Sequence, residues 1–268
     1  MNKTMGIIGF GRFGRLAALH LKDHFDLVVY DTADCKDAAE TLGVRAGQLE
    51  EVGGCPYVLL CVPISRLQPV LMELAPHLVE RALVVDTCSV KEYPVSLMTA
   101  ILPTYVDILG THPLFGPDSA AKGLKGKKIV LCPIRTKDVD RVTIFLKRLK
   151  LHVLVCSPEA HDRGMASTQA IVQFLGRAFL EMGLTEDVVA TPGYDQLIGI
   201  LEVVQNDTPE LFHDLQSFNR FASGMRQRLI ESLMKVNQKL EDKTPWALQG
   251  EAKESEDESR ISGRTRRI

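Results

Sequence analysis

Gly6-Ile7-Ile8-Gly9-Phe10-Gly11-Arg12-Phe13-Gly14 decides how this chain folds. Glycines 9, 11 and 14 stand where a buried apolar run gives way to a helical pattern. A dinucleotide needs that spacing. The first glycine permits the tight turn, the second lets backbone approach a pyrophosphate, and the third lets helix and strand pack closely. The helix then turns its free N–H groups toward the phosphates. Without a ligand the same glycines would only close a βαβ unit. Here Asp31 ends the next apolar run, where an acidic side chain can hold a ribose. The expected cofactor contacts are Gly9, Gly11, Arg12, Phe13 and Gly14 in the turn, Asp31, and Val62-Pro63 after the next long strand.

Outward from this turn, short apolar runs alternate with helical patterns. Strands are expected at Met5–Ile8, Leu27–Tyr30, Tyr57–Val62, Leu83–Asp86, Asp107–Gly110, Lys128–Cys132 and His152–Cys156. They are rich in Val, Ile and Leu without strict alternation, as strands buried on both faces are. Helices are expected at about Arg12–His24, Ser65–Ala75, with Ser65 as its cap, Glu92–Leu102 and Lys137–Leu149. The class is α/β: a Rossmann-like, doubly wound sheet over residues 1–156, whose last strands need not be parallel.

After Ser157-Pro158 no strand-like run follows. Ser157 reads as a cap and Pro158 as a first helical residue. One long helix is expected to about Leu184, a second over about Tyr194–Gln205, and a third from Pro209, capped by Thr208, to about Leu240. They carry more apolar surface than one small bundle buries. Residues 157–240 are therefore expected to form an all-helical dimerisation domain that interleaves two copies as a homodimer. Residues 241–268, acidic from Glu251 and then arginine-rich, read as a disordered, solvated tail.

The formal charge of −2 offers no electrostatic case for nucleic acid or a membrane surface. The longest apolar runs are too short to span a bilayer, and Met5 already belongs to the first strand, which argues against a signal peptide. Cysteines 35, 55, 61, 88, 132 and 156 stand singly with no CxxC pair. They read as reduced thiols of a cytoplasmic protein, with neither a disulfide frame nor a metal site.

Two further segments leave the carboxyl ends of strands, where ligands of open α/β sheets bind. They are Asp86-Thr87-Cys88-Ser89-Val90-Lys91-Glu92-Tyr93-Pro94 and Gly110-Thr111-His112-Pro113-Leu114-Phe115-Gly116-Pro117-Asp118-Ser119. Ser89 and His112 can converge on one crevice, and an imidazole titrates near neutral pH unaided. Together with the glycine turn these motifs resemble the prephenate and arogenate dehydrogenases of tyrosine synthesis, and look closest to the plant-type arogenate dehydrogenases. The resemblance runs from about Met5 to Phe221 and includes Glu159-Ala160-His161-Asp162, Thr191-Pro192-Gly193-Tyr194 and Asp207–Asn219.

The resemblance implies an NAD(P)-dependent oxidative decarboxylation without metal. The substrate is a cyclohexadienol with a ring carboxylate para to a C4 hydroxyl. His112 is then the general base for that hydroxyl, and Ser89 holds His112 and the hydroxyl in register, touching the nicotinamide as well. Plant relatives generally carry Ser-Arg where this chain has Asp31-Thr32. A carboxylate there accepts from the ribose hydroxyls and repels a 2′-phosphate, so NAD is expected, with NADP as the alternative. Lys36 reads as a solvated residue.

On the substrate side the pattern departs from the family. Microbial prephenate enzymes carry a histidine and an arginine where this chain has Gln173 and Val203, with Glu202 adjacent. The bidentate grip of an arginine on a carboxylate is absent from that place. Gln169 and Gln173 are expected one turn apart on one helix face, and Lys122 and Arg163 are alternative cations. Loss of the arginine disfavours prephenate, with its two carboxylates. Arogenate carries an ammonium, for which Asp162 is the candidate partner, although Asp162 can also brace a helix start. Arogenate, with tyrosine as product, is therefore the expected substrate. Prephenate, giving 4-hydroxyphenylpyruvate, and a non-catalytic NAD-binding regulatory protein are the alternatives. A β-hydroxyacid or imine reductase would place a lysine on the helical domain, and Glu159–Phe179 contains none.

Overall fold

In the computed structural model, which describes residues 3–242, the glycine turn joins β1 (Lys3–Ile8) to α1 (Arg12–Leu21). Then come β2 (Phe25–Tyr30), α2 (Lys36–Leu42), β3 (Arg45–Ala46), α3 (Leu49–Gly53), β4 (Tyr57–Leu60) and α4 (Ile64–Leu74). β5 (Leu83–Asp86), α5 (Glu92–Ile101), β6 (Asp107–Pro113), β7 (Lys128–Arg135), α6 (Val139–Arg148) and β8 (His152–Val155) complete the α/β part. All eight strands share one sheet in the order β3-β2-β1-β4-β5-β6-β7-β8. Only β6 and β7 pair antiparallel, because the turn between them contains no crossover helix.

Successive side chains of each strand enter opposite cores, which explains the unbroken apolar runs. Ile8, Val28, Val58, Leu60, Val84 and Ile108 pack with Leu67 and Leu71 of α4 and Met98 of α5. Their neighbours Ile7, Leu27 and Val29 pack with Ala18 of α1 and Ala39 of α2. Leu83, Leu109 and Leu131 meet Val142 and Leu146 of α6. The expected strands are all present, with ends moved by a few residues. The sequence reading did not anticipate α2, β3 and α3. They are two to seven residues long, shorter than the window in which a hydrophobic period can be read.

Past Ser157 the chain is helical, as expected. α7 (Pro158–Met165), a π-helical turn over Ala166–Ala170, and α8 (Ile171–Glu181) form one rod. α9 (Pro192–Asn206), α10 (Pro209–Phe218) and α11 (Ala222–Glu241) follow. Ser157, Thr191 and Thr208 cap their helices by accepting from the N–H groups of Ala160, Tyr194 and Leu211. Two expectations are corrected. Ser65 is not a cap: α4 begins after Pro63, and the Ser65 N–H donates instead to Asp214 of α10 at 3.1 Å. The single helix expected from Pro209 to Leu240 is broken at Asn219. That buried side chain accepts from the Phe221 N–H at 3.0 Å and donates to the Asp162 carbonyl at 2.8 Å, competing with the helical ladder.

Residues up to Met225 make one compact unit, and a second unit begins at Arg226. Its described part is the remainder of α11, where Ile230, Leu233, Met234 and Leu240 are exposed. The charged tail lies outside the described residues from residue 243 on. Among the described residues no helix is long and apolar enough to cross a membrane.

Candidate active site

The glycine turn has the shape its spacing predicts. Gly9 adopts φ +91°, and a Cβ there would meet the Cys61 carbonyl oxygen at 2.5 Å. A Cβ on Gly14 would lie 2.0 Å from the Gly9 oxygen. A Cβ on Gly11 would meet nothing within 4 Å, so the middle glycine faces open space that a side chain would fill. Gly11 supplies no capping side chain to α1, whose first N–H groups can serve a phosphate. Gly9, Gly11, Asp31, Val62 and Pro63 line one cleft of about 530 Å³, together with Thr32 and Arg66. Asp31 accepts from the Phe10 N–H at 2.6 Å and the Ala33 N–H at 3.0 Å, which ties the end of β2 to the glycine turn. Its carboxylate retains lone pairs for a ribose.

The Arg12 and Phe13 side chains face elsewhere, while their N–H groups begin α1. Arg12 pairs with Asp118 at 2.6 Å, in the loop after His112, and donates to the Asn206 carbonyl at 2.9 Å. Phe13 packs near Phe115, with ring centroids 6.4 Å apart. Both tie the glycine turn to the loop that follows β6.

His112 lies on β6, buried, with Nδ1 2.8 Å from Nε2 of His161. His161 Nδ1 lies 2.7 Å from Oδ1 of Asp162. A carboxylate can only accept, so His161 donates from Nδ1. In the neutral pair its Nε2 then accepts, His112 donates from Nδ1, and Nε2 of His112 is left with its lone pair. Burial holds the His112 pKa well below the usual imidazole value, and His161 and the Lys91 ammonium add to that. The ring is thus held as a neutral acceptor.

Beneath it lies a buried ion pair. Lys91 and Asp86 have no exposed side-chain surface, and Lys91 Nζ donates to Oδ2 of Asp86 and to the Thr111 carbonyl. Asp86 also accepts from the N–H groups of Cys88 and Thr111. The sequence reading gave no role to His161, Asp86 or Lys91. All three stand inside the motifs that carried it, so residue type and position were visible while their contacts were not.

The expected Asp162 role is corrected. Its carboxylate is fully buried and committed. It accepts from His161, from the Lys91 N–H at 2.7 Å and from the Glu92 N–H at 2.9 Å, capping the start of α5. Fully buried and already bonded on both oxygens, it is not presented to a substrate ammonium. Ser89 does not hold His112, whose Nδ1 belongs to His161. Instead Ser89 Oγ is buried with no protein partner, an orphan that a bound molecule would satisfy.

Gln173 is buried on α8 and its Nε2 donates to Asp207, while its Oε1 has no partner. The Oε1 of Gln169 is likewise buried and unpaired. The π turn between Asp162 and Gln173 changes the helical phase, and the freed Ala170 carbonyl accepts from Gln216 Nε2 at 2.7 Å. Asp207 also lies near Arg12, Arg177 and Asp118, and burial raises its pKa. Lys122 is exposed on the β6–β7 loop. Arg163 pairs with Glu159 at 2.7 Å over the Phe221 ring, and Lys36 is exposed at the start of α2. None of these three cations joins the buried cluster. All six cysteines are free, and burial pushes Cys61 and Cys132 up to about 12, so they are inert thiols at neutral pH. No group of three or more His, Cys, Asp or Glu side chains is arranged to hold a metal ion among the described residues.

Residues 17–155 match the family model described as prephenate dehydrogenase, nucleotide-binding domain. The chain is 31% identical over 253 residues to arogenate dehydrogenase 2, chloroplastic, of Arabidopsis thaliana, covering 88% of this chain and 69% of that protein. The chain belongs to the prephenate dehydrogenase family. A probable arogenate/prephenate dehydrogenase of Methanocaldococcus jannaschii is 29% identical over 90% of this chain and 58% of its own length. The fold matches crystalline prephenate dehydrogenase from A. aeolicus, in complex with hydroxyphenyl propionate and NAD+. That match has TM-score 0.71, 21% identity, and coverage of 91% and 92%. Residues 178–251 also match a model described as TYRAAT1-like, C-terminal domain. This family member is an NAD(P)-dependent dehydrogenase. Its open middle glycine, uncapped α1 and orphaned Ser89 hydroxyl fit a nicotinamide dinucleotide.

Proposed function

We propose that the chain oxidises and decarboxylates arogenate with NAD, giving tyrosine. One observation carries this reading: the Asp162–His161–His112 chain leaves His112 Nε2 as a neutral acceptor. That nitrogen takes the C4 hydroxyl proton while the C4 hydride leaves. NAD, when bound, supplies the hydride acceptor. The ring then loses its carboxylate as carbon dioxide as it becomes aromatic. Ser89 Oγ, unpaired and buried, hydrogen-bonds the substrate hydroxyl or the nicotinamide amide. The hydrogen-bonded chain beyond His112 holds its ring and spreads the charge it gains.

The substrate's ammonium is assigned to Asp207 and not to the buried Asp162. Asp207 stands beside Gln173, between the glycine turn and the loop after His112. The reading is tested by absorbance at 340 nm with NAD and each cyclohexadienyl substrate. Arogenate is expected to exceed prephenate in kcat/KM by about tenfold or more, and Asp207→Asn to narrow that gap by raising KM for arogenate. A preference for prephenate would reverse the substrate assignment. NAD binding without turnover of either would favour the regulatory alternative.

Choice of cofactor rests on Asp31 in the cleft. Asp31→Ser with Thr32→Arg is expected to move the NAD/NADP ratio of kcat/KM toward NADP by about tenfold or more. An unchanged ratio would remove Asp31 from the ribose. The exposed apolar residues Ile230, Leu233 and Met234 of α11 support the homodimer, which sedimentation velocity reads directly. Six free cysteines fit a reducing, cytoplasmic setting.

A further inference from the structure

Thr111 and Pro113 alternate with His112 along β6, so they face the other side of the sheet. On that side a groove of about 460 Å³ lies between α1 and α6. It follows the strands from their first residues, Lys3 and Tyr57, to Phe13 and Phe115 near the glycine turn. Its floor is Met5, Leu59, Val85 and Thr111. The two threonine hydroxyls in the lining are already committed. Thr87 Oγ1 donates to the Leu60 carbonyl at 2.9 Å, and Thr111 Oγ1 to the Asp86 carbonyl at 2.6 Å. The interior therefore offers contact to an apolar body, with the donors of both threonine hydroxyls already spent.

Its strand-start mouth is polar. Lys3, His20, His24 and Arg141 line it, and Asp138, the lining's one carboxylate, pairs with Arg141 at 3.3 Å. Lys3 is exposed and donates only to the Tyr57 hydroxyl, at 3.0 Å, with no acid partner among the described residues. The volume lies in the small-molecule range, and an apolar trough with a few convergent polar groups is the usual form of a ligand site.

We propose that this groove is a second ligand site, for an amphiphile of the fatty-acyl class, with its chain along the sheet and its carboxylate at Lys3. The course along the strands suits an elongated body, and the unpaired cation selects an anionic head. The site stands apart from the dinucleotide cleft and does not depend on which substrate the enzyme takes.

Isothermal titration of the full chain with decanoate, decanol and decyltrimethylammonium tests it. Decanoate is expected to bind saturably at one site, and the cationic amphiphile not to bind. Lys3→Glu is expected to weaken decanoate by about fivefold or more while leaving decanol unchanged. Ala17→Trp, which fills the groove from α1, is expected to weaken both by about tenfold or more. Unchanged NAD affinity in each variant reports an intact fold. The proposal is overturned by absent or non-saturable decanoate binding, by equal binding of the cationic amphiphile, or by decanoate affinity unchanged in both variants. Binding that appears only after removal of residues 243–268, or only as copies dissociate in sedimentation, would overturn it too, assigning the groove to the chain itself.

Discussion

His112→Asn is expected to lower kcat by about 10²–10⁴, the range for a positioned general base, with NAD affinity unchanged. Asparagine can keep a hydrogen bond to His161 but offers no basic nitrogen to the hydroxyl. The wild-type pH profile follows from the same geometry. Burial, His161 and Lys91 push the His112 pKa well below 6.5, so the base stays neutral through the physiological range. Activity limited by this group is expected to hold as pH falls past 6.5 and to drop only at more acidic values. Stability moves the same way. Below about 6.5 the unfolded chain's imidazole binds a proton that the native ring refuses, so stability declines as pH is lowered. A variant with near-normal turnover, or a profile that breaks above 6.5, would remove His112 from the base role.

The second large effect is expected at Lys91, which never meets solvent. Lys91→Met leaves Asp86 charged and unpaired inside the sheet, at a cost of about 3–5 kcal/mol in urea denaturation. The surviving folded protein is expected to show a pH profile shifted upward, because the ammonium that helps hold down the His112 pKa is gone. Replacing both partners, as Lys91→Met with Asp86→Leu, is expected to recover part of the stability and not all of it. Asp86 also accepts from the Cys88 and Thr111 N–H groups, and those donors would lose their partner. An unchanged denaturation midpoint for Lys91→Met would mean that the pair contributes nothing to the fold.

Much of this site was legible before any coordinates. Glycines 9, 11 and 14 with Asp31 define a local turn, and local spacing is what sequence reports best. His112 was singled out through its motif's family resemblance, although it lies within β6 and not past its end, and Ser157, Thr191 and Thr208 were legible as caps. Contacts between distant segments were not. Asp162 looked like a free carboxylate because nothing in its neighbourhood showed the start of α5, seventy-one residues earlier at Lys91, arriving at its oxygens. The π turn over Ala166–Ala170 leaves no clear mark in residue pattern. The break at Asn219 depended on a carbonyl of α7, again a distant partner.

The sequence by itself determined the βαβ grammar, the dinucleotide turn and the family. Those properties live in spacing within one or two elements, where backbone geometry fixes the outcome. Tertiary structure alone decided which nitrogen of His112 is free, that Asp162 is spent on a helix start, and that a buried lysine holds the Thr111 carbonyl beside His112. It also opened an apolar trough between α1 and α6. Each of these is set by which groups meet after the sheet closes, and burial then gives those meetings their electrostatic weight.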